Sequence, residues 1–563
     1  MTINRIKLND RFDLQKKIVI SSGTQALVRL VLNQSERDKN AGINSAGLVT
    51  GYRGSPLGGV DSTFTGANKF LEERNIVFQY GLNEDLAATA LWGSQQTELR
   101  GDGKYDGVFG LWYGKGPGVD RSGDVFRHAN LAGTSKSGGV LVAMGDDHSA
   151  ESSTELHQSE FALVDAMMPI LSPAGVQDIL DFGIIGWALS RYSGLWVGIK
   201  CLKDTIEVTE VVDASHNRIK IAQVEDWKEP LLNIRLGDTP QAREDRLHNK
   251  KIDAAKKFAR VNNINRAVIE PKKRSLGIIS SGKSWLDTVH ALSLLGIDEK
   301  EAENLELTTF KVGMVWPLDE VKICSWASDL ERILVVEEKR NLIEGQLKEI
   351  LYRLKNKPEI IGFQDLSGNI LLPSIGVLDP IIVAKAISEN LLTDNRSDRV
   401  KKTLLELINN TRGESNSPAP DRIPYFCSGC PHNSSTKVPD GSIAYAGIGC
   451  HTMAIWMDRS TDGPTHMGGE GVNWLGQAPF SNRKHVFQNL GDGTYNHSGL
   501  LAIRAAVASD ANITYKVLFN DAVAMTGGQS HEGGLSGLEI IQELVAAGVK
   551  RVVGVYDEKE EID

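Results

Sequence analysis

Three groups of residues in this chain have the types and the spacing that chemistry needs. The first is Gly491-Asp492-Gly493 with Asn520-Asp521-Ala522 downstream. Residues 484–490 read as a short, rather polar buried strand, Gly-Asp-Gly as a tight turn, 500–507 as a helix, and 513–519 as a second strand. In a parallel βαβ unit the Asp and the Asn would emerge at the same sheet edge, where open α/β sheets take their ligands. A carboxylate and an amide oxygen suit a hard cation such as Mg²⁺, whose shell phosphates can complete. The glycines let a backbone approach a diphosphate, and the following helix N-terminus favours its charge. The same tripeptide at 101–103 lacks any such sequel and reads as a surface turn.

The second group is Cys427-Ser428-Gly429-Cys430, followed by Cys450 in Gly447-Ile448-Gly449-Cys450-His451. Thiolates at this spacing can hold zinc, hold an iron–sulfur cluster, or exchange disulfides. Zinc would draw its fourth ligand from His432 or His451. A cluster wants four thiolates and finds three here. Redox exchange leaves Cys450 idle. Cys201 and Cys324 stand in apolar surroundings and read as core residues. The third group is Glu84, in the first turn of an Ala-rich helix over 84–98 with Asn83 in cap position. An acid there complements the helix dipole, and a buried one can have a raised pKa. Ser55, in a loop over 51–59, is by itself a turn residue.

The elements that must position these groups alternate between strand and helix. The chain has 563 residues, 41% apolar and 6% aromatic, with 56 glycines, which suits a loop-rich α/β enzyme of about three or four domains. A net charge of −10 gives no basic footprint for nucleic acid. No apolar run has the length of a membrane span, and the N-terminus has no apolar signal core. Five cysteines, three of them clustered, argue against a secreted disulfide framework, so a cytoplasmic protein is expected.

Strands are expected at 44–50, 108–113, 139–144 and 195–199, with an extended run at 78–81 and a helix over 23–32. This is the pattern of a doubly wound parallel sheet. A charged, helical stretch over 213–273 reads as a linker. A second α/β unit follows over 274–392, with strands at 276–282, 311–315 and 332–338. A polar segment over 393–420 leads to a third unit over 421–563 that contains the first two groups of residues.

Gly491-Asp492-Gly493 with Asn520 resembles the diphosphate motif of thiamine-diphosphate enzymes, in which the Asp, the Asn side chain and a backbone carbonyl two residues on hold the metal. Carried over, these are Asp492, Asn520 and Ala522. Taken together the motifs resemble the thiamine-diphosphate-dependent 2-oxoacid:ferredoxin oxidoreductases, most nearly those of the large indolepyruvate type. Gly51-Tyr52-Arg53-Gly54-Ser55-Pro56 is similar to the family's Tyr-Pro-Gly-Thr-Pro loop, Asn83-Glu84-Asp85 to Asn-Glu-Lys, and Cys427-Ser428-Gly429-Cys430-Pro431-His432 to Cys-Pro-Gly-Cys-Pro-His. Gly116 to Arg121 looks like a glycine-rich segment, Gly145-Asp146-Asp147-His148 like an Asp-Asp segment, and Ala524-Met525-Thr526-Gly527 like Ala-Met-Thr-Gly.

The resemblance implies an α/β fold of three doubly wound domains: pyrimidine-binding over 1–212, transketolase-C-like over 274–392 and diphosphate-binding over 421–563. It implies thiamine diphosphate, Mg²⁺ and a [4Fe-4S] cluster on Cys427, Cys430 and Cys450, whose fourth ligand would lie outside this chain. Glu84 would bond the aminopyrimidine, and Ser55, a hydroxyl in place of the more usual Thr, would orient the substrate. The implied reaction is oxidative decarboxylation of a 2-oxoacid, an aryl pyruvate such as indolepyruvate being favoured. Coenzyme A would take the acyl group and ferredoxin the electrons. Partners would include a second copy or a gamma-like domain or subunit. Branched-chain 2-oxoacids, a non-oxidative thiamine-diphosphate decarboxylase or transferase, and a zinc-binding scaffold with a decayed cofactor site are the alternatives. The last domain is expected to be cut short at Asp563.

Overall fold

The structure, a computed structural model, describes residues 7–151, 153, 155–225, 232–391, 398–411, 424–530 and 533–556. Most of the expected 393–420 linker and the expected cut at Asp563 lie outside the described residues, as does the start of the third unit at 421–423. The chain divides into two compact units, Met1–Tyr80 with Glu84–Asn416, and Gly81–Asn83 with Ser417–Asp563.

The first unit is built on two sheets. The larger has seven strands in the order Met314–Trp316, Ile170–Leu171, Val197–Leu202, Val140–Asp146, Gly107–Lys115, Ser45–Gly51 and Ile76–Tyr80. All neighbours are parallel except the first pair. Val140–Asp146 is buried at every position, as a central parallel strand covered on both faces must be. The Gly23–Asn40 helix covers one face. Its start is set by Ser22, whose hydroxyl accepts from Gln25 N while the Gln25 side chain accepts from Ser22 N. The second sheet has five strands, Glu359–Ile361, Arg332–Val336, Leu276–Ser281, Leu307–Val312 and Arg266–Ile269, with only the last antiparallel.

One apolar cluster joins the two sheets: Trp112, Phe126, Val142 and Trp196 from the first are continuous with Phe310, Val335, Ile343 and Leu347 from the second. The expected first and second domains therefore share a core. A buried ionic cluster ties them as well. His148 Nδ1 donates to Glu338 Oε2 at 2.6 Å, and Lys283 Nζ donates to Glu338 Oε1 at 3.0 Å and Asp287 Oδ2 at 2.7 Å. Lys200 Nζ reaches Glu160 at 2.5 Å and His148 Nε2 at 3.1 Å.

Two sequence expectations change. The stretch over 213–273 is more than a connection: the Ile252–Val261 helix buries Ile252, Ala255 and Phe258 in the first core, and Arg266–Ile269 pairs into the second sheet. Residues 311–315 are not one strand. Leu307–Val312 ends in the second sheet and Met314–Trp316 begins in the first, with the break at Gly313. Asn265 Oδ1 accepts from both Gly313 N and Met314 N and holds the chain at the crossing. A two-stranded antiparallel ribbon, Ile18–Ser22 with Thr209–Asp213, also stands apart from the parallel sheets.

The second unit holds a four-stranded, all-parallel sheet in the order Thr461–Asp462, Ala444–Tyr445, Val486–Gly491 and Ile513–Leu518. Its core is small, with Leu490, Tyr495, Ile503, Ile540 and Leu544 on one side of the sheet and Tyr445, Trp474 and Val486 in a second cluster. Among the described residues no helix is long and apolar enough to cross a membrane.

Candidate active site

In the second unit the Val486–Gly491 strand passes directly into helix. Asp492–Thr494 is helical, Tyr495–Gly499 is a π turn, and Leu500–Ala508 continues as α-helix. The expected tight turn at Gly-Asp-Gly is absent, because Gly491 keeps extended angles (φ −74°, ψ 151°) and the helical rotation begins with Asp492 itself. Helical irregularities of this kind gather at functional sites.

Asp492 is buried, 2% exposed, and its carboxylate is held by backbone amides. Gly493 N donates to Oδ1 at 2.8 Å, and Asn520 N and Asp521 N donate to Oδ2 at 2.8 and 2.7 Å. Asp521 adopts a left-handed backbone (φ 54°), which lets two successive N–H groups point at one oxygen. The end of one strand is thus tied to the end of its neighbour through Asp492. Asn520 is exposed, and its Oδ1 accepts from Ala522 N at 3.2 Å. A Cβ added at Gly491 or Gly493 would come no nearer than 3.4 Å to His451 or 3.5 Å to Val523. Packing therefore does not require these glycines. The space they leave is what a ligand lying against the backbone would occupy. A carboxylate and an amide oxygen at the ends of neighbouring strands are donors of the type that a hard cation takes.

The cysteine segment belongs to the same unit. Cys427 is exposed, while Cys430 and Cys450 are half-buried. Cys430 N donates to Cys427 O at 3.0 Å across a turn with Gly429 at φ 77°. Burial pushes the Cys450 thiol up, and Cys430 and Cys427 nearby push it further. Cys427 and Cys430 thus lie within electrostatic reach of Cys450, which is 20 positions beyond Cys430 in sequence. Among the described residues no three His, Cys, Asp or Glu side chains converge tightly enough to hold a single ion. A four-iron cluster, which takes one thiolate per iron, spaces its ligands more widely than zinc does. His451, offered as a zinc ligand, is 1% exposed, and burial pushes it down to about 3. His432 is also buried and pushed down by burial, partly offset by Asp492.

In the first unit Glu84 begins the Glu84–Ser94 helix and is 6% exposed. Trp112 Nε1 donates to its backbone carbonyl at 3.0 Å. Gly118 lies so close that a Cβ there would fall 2.6 Å from Glu84 Cγ and 2.8 Å from Oε1. Ser55 is half-buried in the loop after Ser45–Gly51. That loop is braced by Arg53, whose Nε pairs with Asp61 at 2.8 Å, while Tyr113 donates its hydroxyl proton to Asp61 at 2.5 Å.

Sequence reading missed Arg53 and Glu470. Arg53 and Asp61 are too close in sequence to advertise a buried pair. Glu470 is fully buried, with Ile448 N and Gly468 N donating to its carboxylate, and burial pushes it up. Nothing in its surrounding sequence marks it.

Residues 266–414 match the family described as indolepyruvate oxidoreductase domain. The chain is 25% identical over 518 residues to the indolepyruvate oxidoreductase subunit IorA of Methanothermobacter marburgensis, covering 90% of this chain and 77% of that protein. It is 25% identical over 585 residues to the IorA subunit of Pyrococcus horikoshii, covering 96% and 82%. A solved 2-oxoglutarate:ferredoxin oxidoreductase from Magnetococcus marinus, with 2-oxoglutarate, coenzyme A and succinyl-CoA bound, is similar at 15% identity and a TM-score of 0.49, covering 66% of this chain and 65% of that one. A split-gene transketolase, an inactive β4 tetramer, is similar at 13% identity and a TM-score of 0.37, covering 66% and 99%. The resemblance first drawn from separate motifs therefore extends over most of the chain, which is similar along that length to the IorA subunits of indolepyruvate oxidoreductases.

Proposed function

We propose that this chain is the cofactor-bearing subunit of a 2-oxoacid:ferredoxin oxidoreductase that acts on aryl 2-oxoacids. The observation that carries this reading is the closure at Asp492, a buried carboxylate at one strand end that receives the two amides opening the Asn520-Asp521-Ala522 loop at the next. Asp492, Asn520 and Ala522 would hold Mg²⁺ and, through it, the diphosphate, with Gly491 and Gly493 giving access. Thiamine diphosphate supplies the carbanion chemistry that decarboxylates a 2-oxoacid.

The chain's own residues prepare for it. Glu84 lies against Gly118, where a side chain would displace it, and would hydrogen-bond the aminopyrimidine. Ser55, on a loop stiffened by Arg53 and Asp61, would donate to the substrate. Cys427, Cys430 and Cys450 would ligate an iron–sulfur cluster that passes electrons singly to ferredoxin, with coenzyme A as acyl acceptor. The preference for aryl substrates and the need for a partner subunit rest on the similarity to the IorA subunits, which are named as subunits of an indolepyruvate enzyme. A cytoplasmic setting fits this chemistry.

Calorimetry on anaerobically prepared protein tests the reading. Thiamine diphosphate should bind only with Mg²⁺, and Asp492→Ala should abolish binding. The preparation should contain iron and acid-labile sulfide, and should reduce ferredoxin with an aryl pyruvate and coenzyme A. Cofactor binding without iron would turn the reading to a non-oxidative decarboxylase, and turnover of branched-chain substrates alone would move the specificity. No cofactor binding by the wild type would end it.

A further inference from the structure

The short Gly116–Arg121 helix lies against Glu84 and moves with whatever holds it. Its Gly118 touches the Glu84 side chain, and Arg121 Nε donates at 2.9 Å to Oδ1 of Asp85, the next residue. Its remaining anchor is His157, which has no part in the proposed reaction. His157 Nε2 donates to Asp120 Oδ2 at 2.8 Å. The imidazole also lies against the start of the helix, where a Cβ on Gly116 would fall 2.1 Å from His157 Cγ and Nδ1.

A side chain positions its neighbour only when it is itself held. His157 opens a run of four polar residues that each grip a different element. Gln158 Oε1 accepts from Arg340 N and Nε at 3.3 and 3.1 Å, just beyond the Arg332–Val336 strand of the second sheet. Ser159 donates from both N and Oγ to Asp146, the last residue of Val140–Asp146. Glu160 accepts from Lys200 in Val197–Leu202. The base of His157 is therefore tied to both sheets of the first unit.

Its ring is tied as firmly. Burial would push the imidazole down, but the hydrogen bonds and charges of Asp120 and Asp146 outweigh it and raise the group to about 9. At neutral pH it is a cation between two carboxylates, 2.8 Å from Asp120 Oδ2 on the helix and 3.4 Å from Asp146 Oδ1 at the strand end. Charge-assisted contacts of this kind are stronger than neutral ones.

We propose that His157 is a positioning residue: by gripping Asp120 and the Gly116 backbone it sets the Gly116–Arg121 helix against Glu84 and so places the carboxyl that meets the aminopyrimidine. The proposal rests on the assignment of Glu84 to that ring.

Exchange of the thiazolium C2 proton for deuterium in bound thiamine diphosphate, followed by NMR after rapid quenching, reads the work of Glu84 without substrate or turnover. Two variants break the grip from its two ends: His157→Gln, and Asp120→Ala, whose side chain is 61% exposed and can be cut back with little harm to folding. With cofactor saturating, each should slow exchange roughly 10- to 100-fold, the effect of a displacement of about 1 Å. Cofactor affinity by calorimetry should stay at the wild-type value, and the double variant should be no slower than His157→Gln, since both changes remove one contact. Exchange at the wild-type rate in Asp120→Ala overturns the proposal and leaves the functional reading intact. So does a loss of cofactor affinity as large as the loss of rate, which general damage to the site would give. Undiminished exchange in Glu84→Gln overturns the Glu84 assignment and the proposal together, and a wild type that binds no thiamine diphosphate overturns the whole reading.

Discussion

Glu338 should carry a large and pH-dependent share of the first unit's stability. It is 7% exposed and lies between His148, just after the Val140–Asp146 strand of the first sheet, and Lys283, in the first turn of the Gly282–Leu294 helix. Burial alone would push its carboxyl up. The hydrogen bond and charge of His148, the charge of Lys283 and the amide of Leu378 outweigh this and hold it at about 2, against an ordinary 4.5. Because the value is depressed on folding, the linked stability is present above about 4.5 and is lost as pH falls toward about 2. The gap corresponds to about 3 kcal/mol at neutral pH, and about 1 kcal/mol of it remains at pH 3.

Glu338→Gln keeps the shape and removes the charge. Urea unfolding of both proteins, followed by tryptophan fluorescence between pH 7 and pH 3, should give a difference of about 3 kcal/mol at pH 7 that shrinks steadily with acid. A gap of the same size at pH 3 and pH 7 would refute the reasoning, since the loss would then come from packing. Equal stability at pH 7 would refute it too.

Two further outcomes follow from the site. Gly118→Ala places a methyl group 2.6 Å from Glu84 Cγ, so Glu84 must shift. Turnover should drop by at least about tenfold, while overpacking costs about 1–3 kcal/mol in urea unfolding. Unchanged kinetics would free Glu84 of its role. Cys430→Ser should lower bound iron and sulfide in anaerobic preparations while thiamine diphosphate affinity stays that of the wild type; full iron content in this variant would remove Cys430 from the ligand set.

What the sequence disclosed and what it hid divide along physical lines. Strands such as Val140–Asp146 were legible because a parallel strand buried on both faces must be an unbroken apolar run. Glu84, Asp492 and the three cysteines stand out in the sequence because short spacings carry their motifs, and the structure buries Glu84 and Asp492. Contacts between distant residues were not legible: His148 and Glu338 are 190 positions apart, and neither has a local reason to be buried. The tight turn expected at Gly491-Asp492-Gly493 failed for a similar reason. Glycine permits a turn without requiring one, and Asp492 could start the helix at once because amides from the next strand end satisfy its carboxylate. The 213–273 stretch looked like a linker because its charge conceals the apolar stripe of Ile252, Ala255 and Phe258.

The crossing at Gly313 bears on how this protein can be divided. A cut anywhere between the two sheets of the first unit would leave the Ile170–Leu171 strand without its outer neighbour, exposing backbone donors and acceptors along a newly opened edge. It would also strip Asn265 from the amides that it holds. Neither half is then a self-sufficient product of synthesis. The early part must wait, unfinished at its margin, until residues more than a hundred positions later emerge and close it. Two halves made separately would have to meet before either could complete its sheet.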